Sequence, residues 1–105
     1  MLKEPTMPDA FILTTVDVRD PAAFAAYRTA ISGLNDRIGG EMLVRGRTVE
    51  TLAGAVENAG GAGEIVILIR FPNADAARAY IASPDYQAAQ PLRDAAGRFH
   101  IRLVA

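Results

Sequence analysis

Two strand arginines, three helix tyrosines and one histidine are the side chains of this sequence with the most chemical scope. Arg45 falls within MLVRGR, residues 42–47, and Arg70 within EIVILIRF, residues 64–71. A guanidinium on a strand face needs an anionic partner, which a protein carboxylate, a carboxylate across a dimer or a ligand carboxylate can each supply. Tyr27, Tyr80 and Tyr86 sit in stretches of helical period and can present hydroxyls at the edge of a helix–sheet cleft, although packing explains them as well. His100 is the one histidine, in the alternating run FHIRLV. It reads as an ordinary strand histidine, with a general base or ligand as the alternative. Asp17 reads as a strand-end carboxylate near solvent, or as a buried acid paired with an arginine.

Other chemistries have little support. The chain has no cysteine, which removes thiolate nucleophiles, disulfides and the usual zinc and iron–sulfur ligand sets. No G-x-S-x-G, G-x-G-x-x-G or G-x-x-x-x-G-K-[ST] pattern occurs, so neither a nucleophile elbow nor a phosphate loop is expected. No cofactor is expected, and a haem would have His100 as its candidate ligand. A formal net charge of −1, with eleven basic residues spread along the chain, argues against nucleic acid. Apolar runs such as residues 65–69 are far shorter than the ~20 residues a bilayer span needs. A protein without membrane contact, in the cytoplasm, is the expectation.

The elements that would position these residues follow from periodicity. The 105 residues suit one domain over 10–105, preceded by a flexible leader over 1–9. Residues 11–18 (FILTTVDV) predict the first strand. Asp20-Pro21 predicts a helix start, and Phe24, Tyr27, Ile31, Leu34 and Ile38 carry one apolar stripe to a stop at Gly39-Gly40. Residues 42–47 and 49–52 predict the second strand, bent at Gly46. The glycine-rich stretch 53–63 reads as a mobile connection. Residues 64–71 predict the third strand and Asn73 caps a helix over 74–82. Ser83-Pro84 restarts a helical turn that Pro91 breaks or kinks, and residues 99–104 close the sheet. The order β-α-β-β-α-β is the split pattern of ferredoxin-like folds, α+β with two helices on one face of a four-stranded antiparallel sheet.

Both faces of that sheet are apolar. Ile65, Ile67, Ile69 and Phe71 point one way and Val66 and Leu68 the other; Ile12 and Val16 oppose Phe11 and Leu13. One face is covered by helices, so the other predicts a homodimer through the sheet.

Several short motifs carry a family resemblance. DPAAFAAYR from Asp20, GGEMLVRG from Gly39, IRFP from Ile69, AARAY from Ala76 and SPDYQ from Ser83 resemble, in order and spacing, the uncharacterised family called domain of unknown function 1330. The resemblance spans about residues 11–104. It implies a dimeric α/β-barrel, two ferredoxin-like protomers packed sheet to sheet, and it singles out Arg93, which stands where the family has an arginine after its S-P-x-Y-Q segment. The tryptophan–tyrosine pair usual in the second helix is Tyr80-Ile81 here. The candidate ligand-binding residues are therefore Tyr27, Arg45, Tyr80, Arg93 and His100. Two functions are expected: a small-molecule-binding protein, with a cofactor-independent oxygenase as one form, or a non-catalytic dimeric interaction module. A cleft with no cavity above ~300 Å³ would mark the second.

Overall fold

A computed structural model describes residues 9–54 and 63–105. All but the last residue of the leader expected over residues 1–9, and most of the glycine-rich connection, lie outside them. Strands β1 (Ala10–Val18), β2 (Glu41–Arg47), β3 (Ile65–Phe71) and β4 (Gly97–Val104) form one antiparallel sheet in the order β2-β3-β1-β4. Helices α1 (Pro21–Ala30), α2 (Leu34–Arg37), α3 (Ala74–Ala82) and α4 (Pro84–Ala96) complete the α+β ferredoxin-like fold.

The helix starts form as the sequence dictates. The Asp20 carboxylate accepts hydrogen bonds from the amides of Ala22 and Ala23, Asn73 from Ala76, and Ser83 from Tyr86. Each satisfies donors that the first helical turn leaves open. The first helical segment is shorter than the apolar stripe implied. It stops at Ala30 and resumes as α2 after Gly33, whose φ of 77° lies in the left-handed region that glycine adopts without penalty. Leu34, the first residue of α2, is buried. Pro91 was expected to break or kink the last helix. It does not break it: α4 continues through Pro91 to Ala96, with Tyr86 and Ala89 buried before the proline and Ala96 after it.

The second strand also differs. Its register shift lies between Met42 and Val44 rather than at Gly46, and the strand ends at Arg47. Val49 and Leu52, expected in its continuation, are 86% and 87% exposed. The hairpin is closed beyond it by Thr48 N–H donating to Glu64 O (2.7 Å) and Gly63 N–H to Thr48 O (2.8 Å).

The core lies between the sheet and the helices. Ala10, Ile12, Thr14 and Val16 of β1 are buried on that face, with Ile69 and Phe71 of β3 beside them. Phe24 and Tyr27 of α1, Ala77 and Tyr80 of α3, and Tyr86 and Ala89 of α4 pack onto them. Among the described residues no helix lies over the other face. Across its middle run Val44, Leu68, Leu13 and Arg102, and in the next row Gly46, Val66, Thr15 and His100.

Candidate functional site

A cleft of about 650 Å³ opens on the helix side of the sheet. Its floor is Ile12, Thr14, Ile67 and Ile69, its walls are Tyr27 and Ile31 on one side and Tyr80, Ile81 and Tyr86 on the other, and Met42 and Arg45 approach from β2. A smaller space of about 220 Å³, bounded by Phe24, Arg47 and Ile65, shares Arg28, Arg45 and Ile67 with it.

The β2 bulge determines which side chains reach the cleft. Along a regular strand Met42 and Arg45 point to opposite faces, because side chains alternate. The extra residue between Met42 and Val44 resets the phase, so Met42 pairs with Ile69, Arg45 with Ile67, and both line the cleft. Among the described residues Arg45 has no hydrogen-bond or ion-pair partner. Arg70, on the opposite face, is paired with Glu41. The two strand arginines thus part company: Arg70 has its carboxylate within the protein, and Arg45 has its charge at the cleft.

The tyrosines form one cluster. The Tyr27 and Tyr86 hydroxyl oxygens are 2.7 Å apart, with the rings edge to face. The Tyr80 ring lies 5.3 Å from that of Tyr86, centroid to centroid. Burial, followed by the neighbouring Tyr86, pushes the Tyr27 phenol far above its ordinary value; burial and Tyr86 likewise raise Tyr80. Both stay protonated through the physiological range, as donors or acceptors without charge.

Arg93 stands behind this cluster. Its guanidinium carbon is 5.8 Å from the centre of the Tyr86 ring, and its Nε is 3.4 Å from Asp94 Oδ1. Burial works against its charge, but Tyr86 and Asp94 outweigh that and raise its pKa. Arg93 therefore reaches the cleft through Tyr86 rather than lining it. His100 is not gathered here at all. It is exposed on the helix-free face, with Nδ1 at 3.2 Å from Arg102 Nη2. Asp17 lies on that face too, across from Arg98, with an Arg19 contact at 3.9 Å, in keeping with a strand-end carboxylate. Among the described residues no group of three His, Asp or Glu side chains could hold a metal ion, and no helix is long and apolar enough to cross a membrane.

Of the five candidates, the structure brings Tyr27, Arg45 and Tyr80 to one cleft, sets Arg93 one residue behind it and puts His100 on the far side. Thr14, Arg28, Asn35 and Asp36 also line it. Thr14 had a signal in the sequence, as the one polar side chain among Ile12 and Val16 on the inward face of β1. Asn35 and Asp36 had none, because their place depends on the break at Gly33.

Solved structures share this fold at low sequence identity. A protein of unknown function from Rhodopseudomonas palustris superposes with a TM-score of 0.71 at 21% identity, over 91% of this chain and 80% of that one. A dimeric ferredoxin-like protein of unknown function from Jannaschia sp. CCS1 gives 0.65 at 18%, over 93% and 99%. SnoaB, a cofactor-independent oxygenase from Streptomyces nogalater, gives 0.63 at 15%, over 92% and 91%. No curated protein matches the chain. Residues 9–105 match the family described as Domain of unknown function (DUF1330), and with nearly the whole sequence so covered, the chain belongs to that family.

Proposed function

We propose that this protein binds a compact organic anion in the cleft between its sheet and helices, with Arg45 as the charge that receives it. The observation that carries this reading is an arginine with no hydrogen-bond or ion-pair partner among the described residues, at a cleft of about 650 Å³ whose floor is Ile12, Thr14, Ile67 and Ile69. Ligand sites are typically concavities of roughly 300–1,000 Å³, mostly apolar, with a few placed polar groups. A purely structural module would have no need for that opening, and a ligand carboxylate would complete Arg45 with charge-assisted hydrogen bonds.

A cofactor-independent oxygenase is the catalytic form of this proposal. Such chemistry asks the substrate to supply the electrons, so the protein's task would be to hold it as an anion in a dry, shaped cavity. The fold shared with the Streptomyces oxygenase is compatible with that form, and the unionised tyrosines suit it. We further propose that residues 10–105 act as one cytoplasmic domain and that two copies pair through the helix-free face, leaving the cleft open on the other side.

Calorimetric titration with 4-isopropylbenzoate, an aromatic carboxylate, tests the site. Arg45→Ala should weaken binding about ten- to a hundredfold, the scale of a hydrogen bond to a charged group, with an unchanged circular dichroism spectrum. Equal affinity in the variant would remove Arg45 from the role.

A further inference from the structure

The tyrosine pair has a direction. Tyr86 is 1% exposed, and among the described residues its hydroxyl has one hydrogen-bonding oxygen in reach, that of Tyr27 at 2.7 Å. A phenol carries one hydrogen and can also accept. If Tyr27 donated to Tyr86, the Tyr86 hydrogen would have no protein acceptor among the described residues, in a ring whose centre lies 5.8 Å from the Arg93 guanidinium carbon. A guanidinium donates and never accepts, and its charge repels the positive end of an O–H bond. If Tyr86 donates to Tyr27, the Tyr86 oxygen keeps its lone pairs for the cation, and the hydrogen without a protein acceptor is that of Tyr27, 5% exposed against 1% for Tyr86. Tyr27 has then used its oxygen as an acceptor, and its own hydrogen is directed to the cleft it lines.

We infer that Arg93, Tyr86 and Tyr27 form a polarised relay that gives the cleft a fixed hydrogen-bond donor at Tyr27, so that the ligand presents an acceptor oxygen there: a carbonyl, carboxylate or enolate, not an amine or hydroxyl donor. This rests on the reading of the cleft as a ligand site and adds a second recognition point to Arg45. It also gives Arg93 and Tyr86 positioning roles, because each acts through the next group. Desolvation supports the assignment, since a buried Tyr27 keeps the proton that it offers.

Three para-substituted benzoates test the inference by calorimetry: 4-acetylbenzoate, which offers a carbonyl oxygen, the apolar isostere 4-isopropylbenzoate, and 4-aminobenzoate, which offers N–H donors. The native protein should prefer the acetyl to the isopropyl compound about three- to tenfold, the scale of one hydrogen bond. Tyr27→Phe should erase that preference while retaining binding through Arg45. Tyr86→Phe frees the Tyr27 oxygen to accept, so 4-aminobenzoate should gain several-fold relative to 4-isopropylbenzoate. A ligand-free measurement stands beside these: Tyr27→Phe strands the Tyr86 hydrogen and should lower the urea midpoint more than Tyr86→Phe does. Should Tyr27→Phe fail to fold, the Tyr86→Phe selectivity change decides alone. An unchanged acetyl preference in Tyr27→Phe, or no gain for the amine in Tyr86→Phe, overturns the relay and leaves the cleft a carboxylate site. Failure of all three benzoates to bind the native protein overturns both.

Discussion

At Tyr27 and Tyr80, burial has a consequence that can be measured without a ligand. Both phenols are raised above the ordinary value of 10, chiefly by desolvation. Below pH 10 the folded and unfolded chains both hold these protons, so the two groups leave stability unchanged. Above it the unfolded chain releases them first. The folded state then binds more protons, and stability falls as pH rises. The urea midpoint should be level between pH 7 and 9 and decline above about pH 10, with a shallower decline in Tyr80→Phe, monitored alongside phenolate absorbance. An identical slope in the variant would mean that Tyr80 ionises freely in the fold. These residues were visible in the sequence as helix tyrosines, but their meeting was not. Tyr27 and Tyr86 are separated by 59 positions, and no local pattern reports a contact between α1 and α4.

At the scale of elements, the junction of α4 with β4 controls how Tyr86 and Arg93 are presented. The helix passes into the strand without a loop, and Ala96 O accepts from the amides of Arg19 (2.8 Å) and Asp20 (3.0 Å). Gly97 lies against the end of β1 so closely that a Cβ there would be 2.1 Å from Asp17 O and 3.0 Å from Val18 Cα. These are backbone atoms, which no rotamer change can move aside. Gly97→Ala should therefore destabilise the fold by about 3 kcal/mol, the upper range for overpacking, read from chemical denaturation; a loss under about 0.5 kcal/mol would mean the junction yields. Sequence patterning was sufficient for the caps at Asp20, Asn73 and Ser83 and for the alternation of β3, because those signals are local. It failed where two local rules competed. The apolar stripe from Phe24 to Ile38 continued past Gly33, so periodicity concealed the break that puts Asn35 and Asp36 at the cleft. In β2 the glycine at position 46 was the conspicuous candidate for a bend. The bulge formed nearer Met42, among residues whose composition gives no sign of it, and that displacement is what delivers Arg45 to the cleft with Met42.

For the whole molecule, the helix-free face is the feature left to explain. Leu13 and Leu68 are half-buried by their neighbours there, and Val44 and Val104 are each 44% exposed. Asp17, Arg98, His100 and Arg102 flank this apolar centre along β1 and β4, and Glu41 and Arg70 lie at the far end of β2 and β3. An apolar middle with a charged rim is the anatomy of a protein–protein interface. Under the proposed homodimer, Leu68 of each copy is near the centre, so Leu68→Asp buries two carboxylates in one apolar patch. The expected result is a loss of the two-chain mass in native mass spectrometry at micromolar concentration. The circular dichroism spectrum should be unchanged, because in a single chain Leu68 is only half-buried, on the face without a described helix. Since the cleft is on the opposite side of the sheet, the monomeric variant should bind 4-isopropylbenzoate as the native protein does. A variant that keeps its two-chain mass would place the interface elsewhere. A folded monomer that loses the ligand would mean that pairing of the sheets, and not the single chain, gives the cleft its shape.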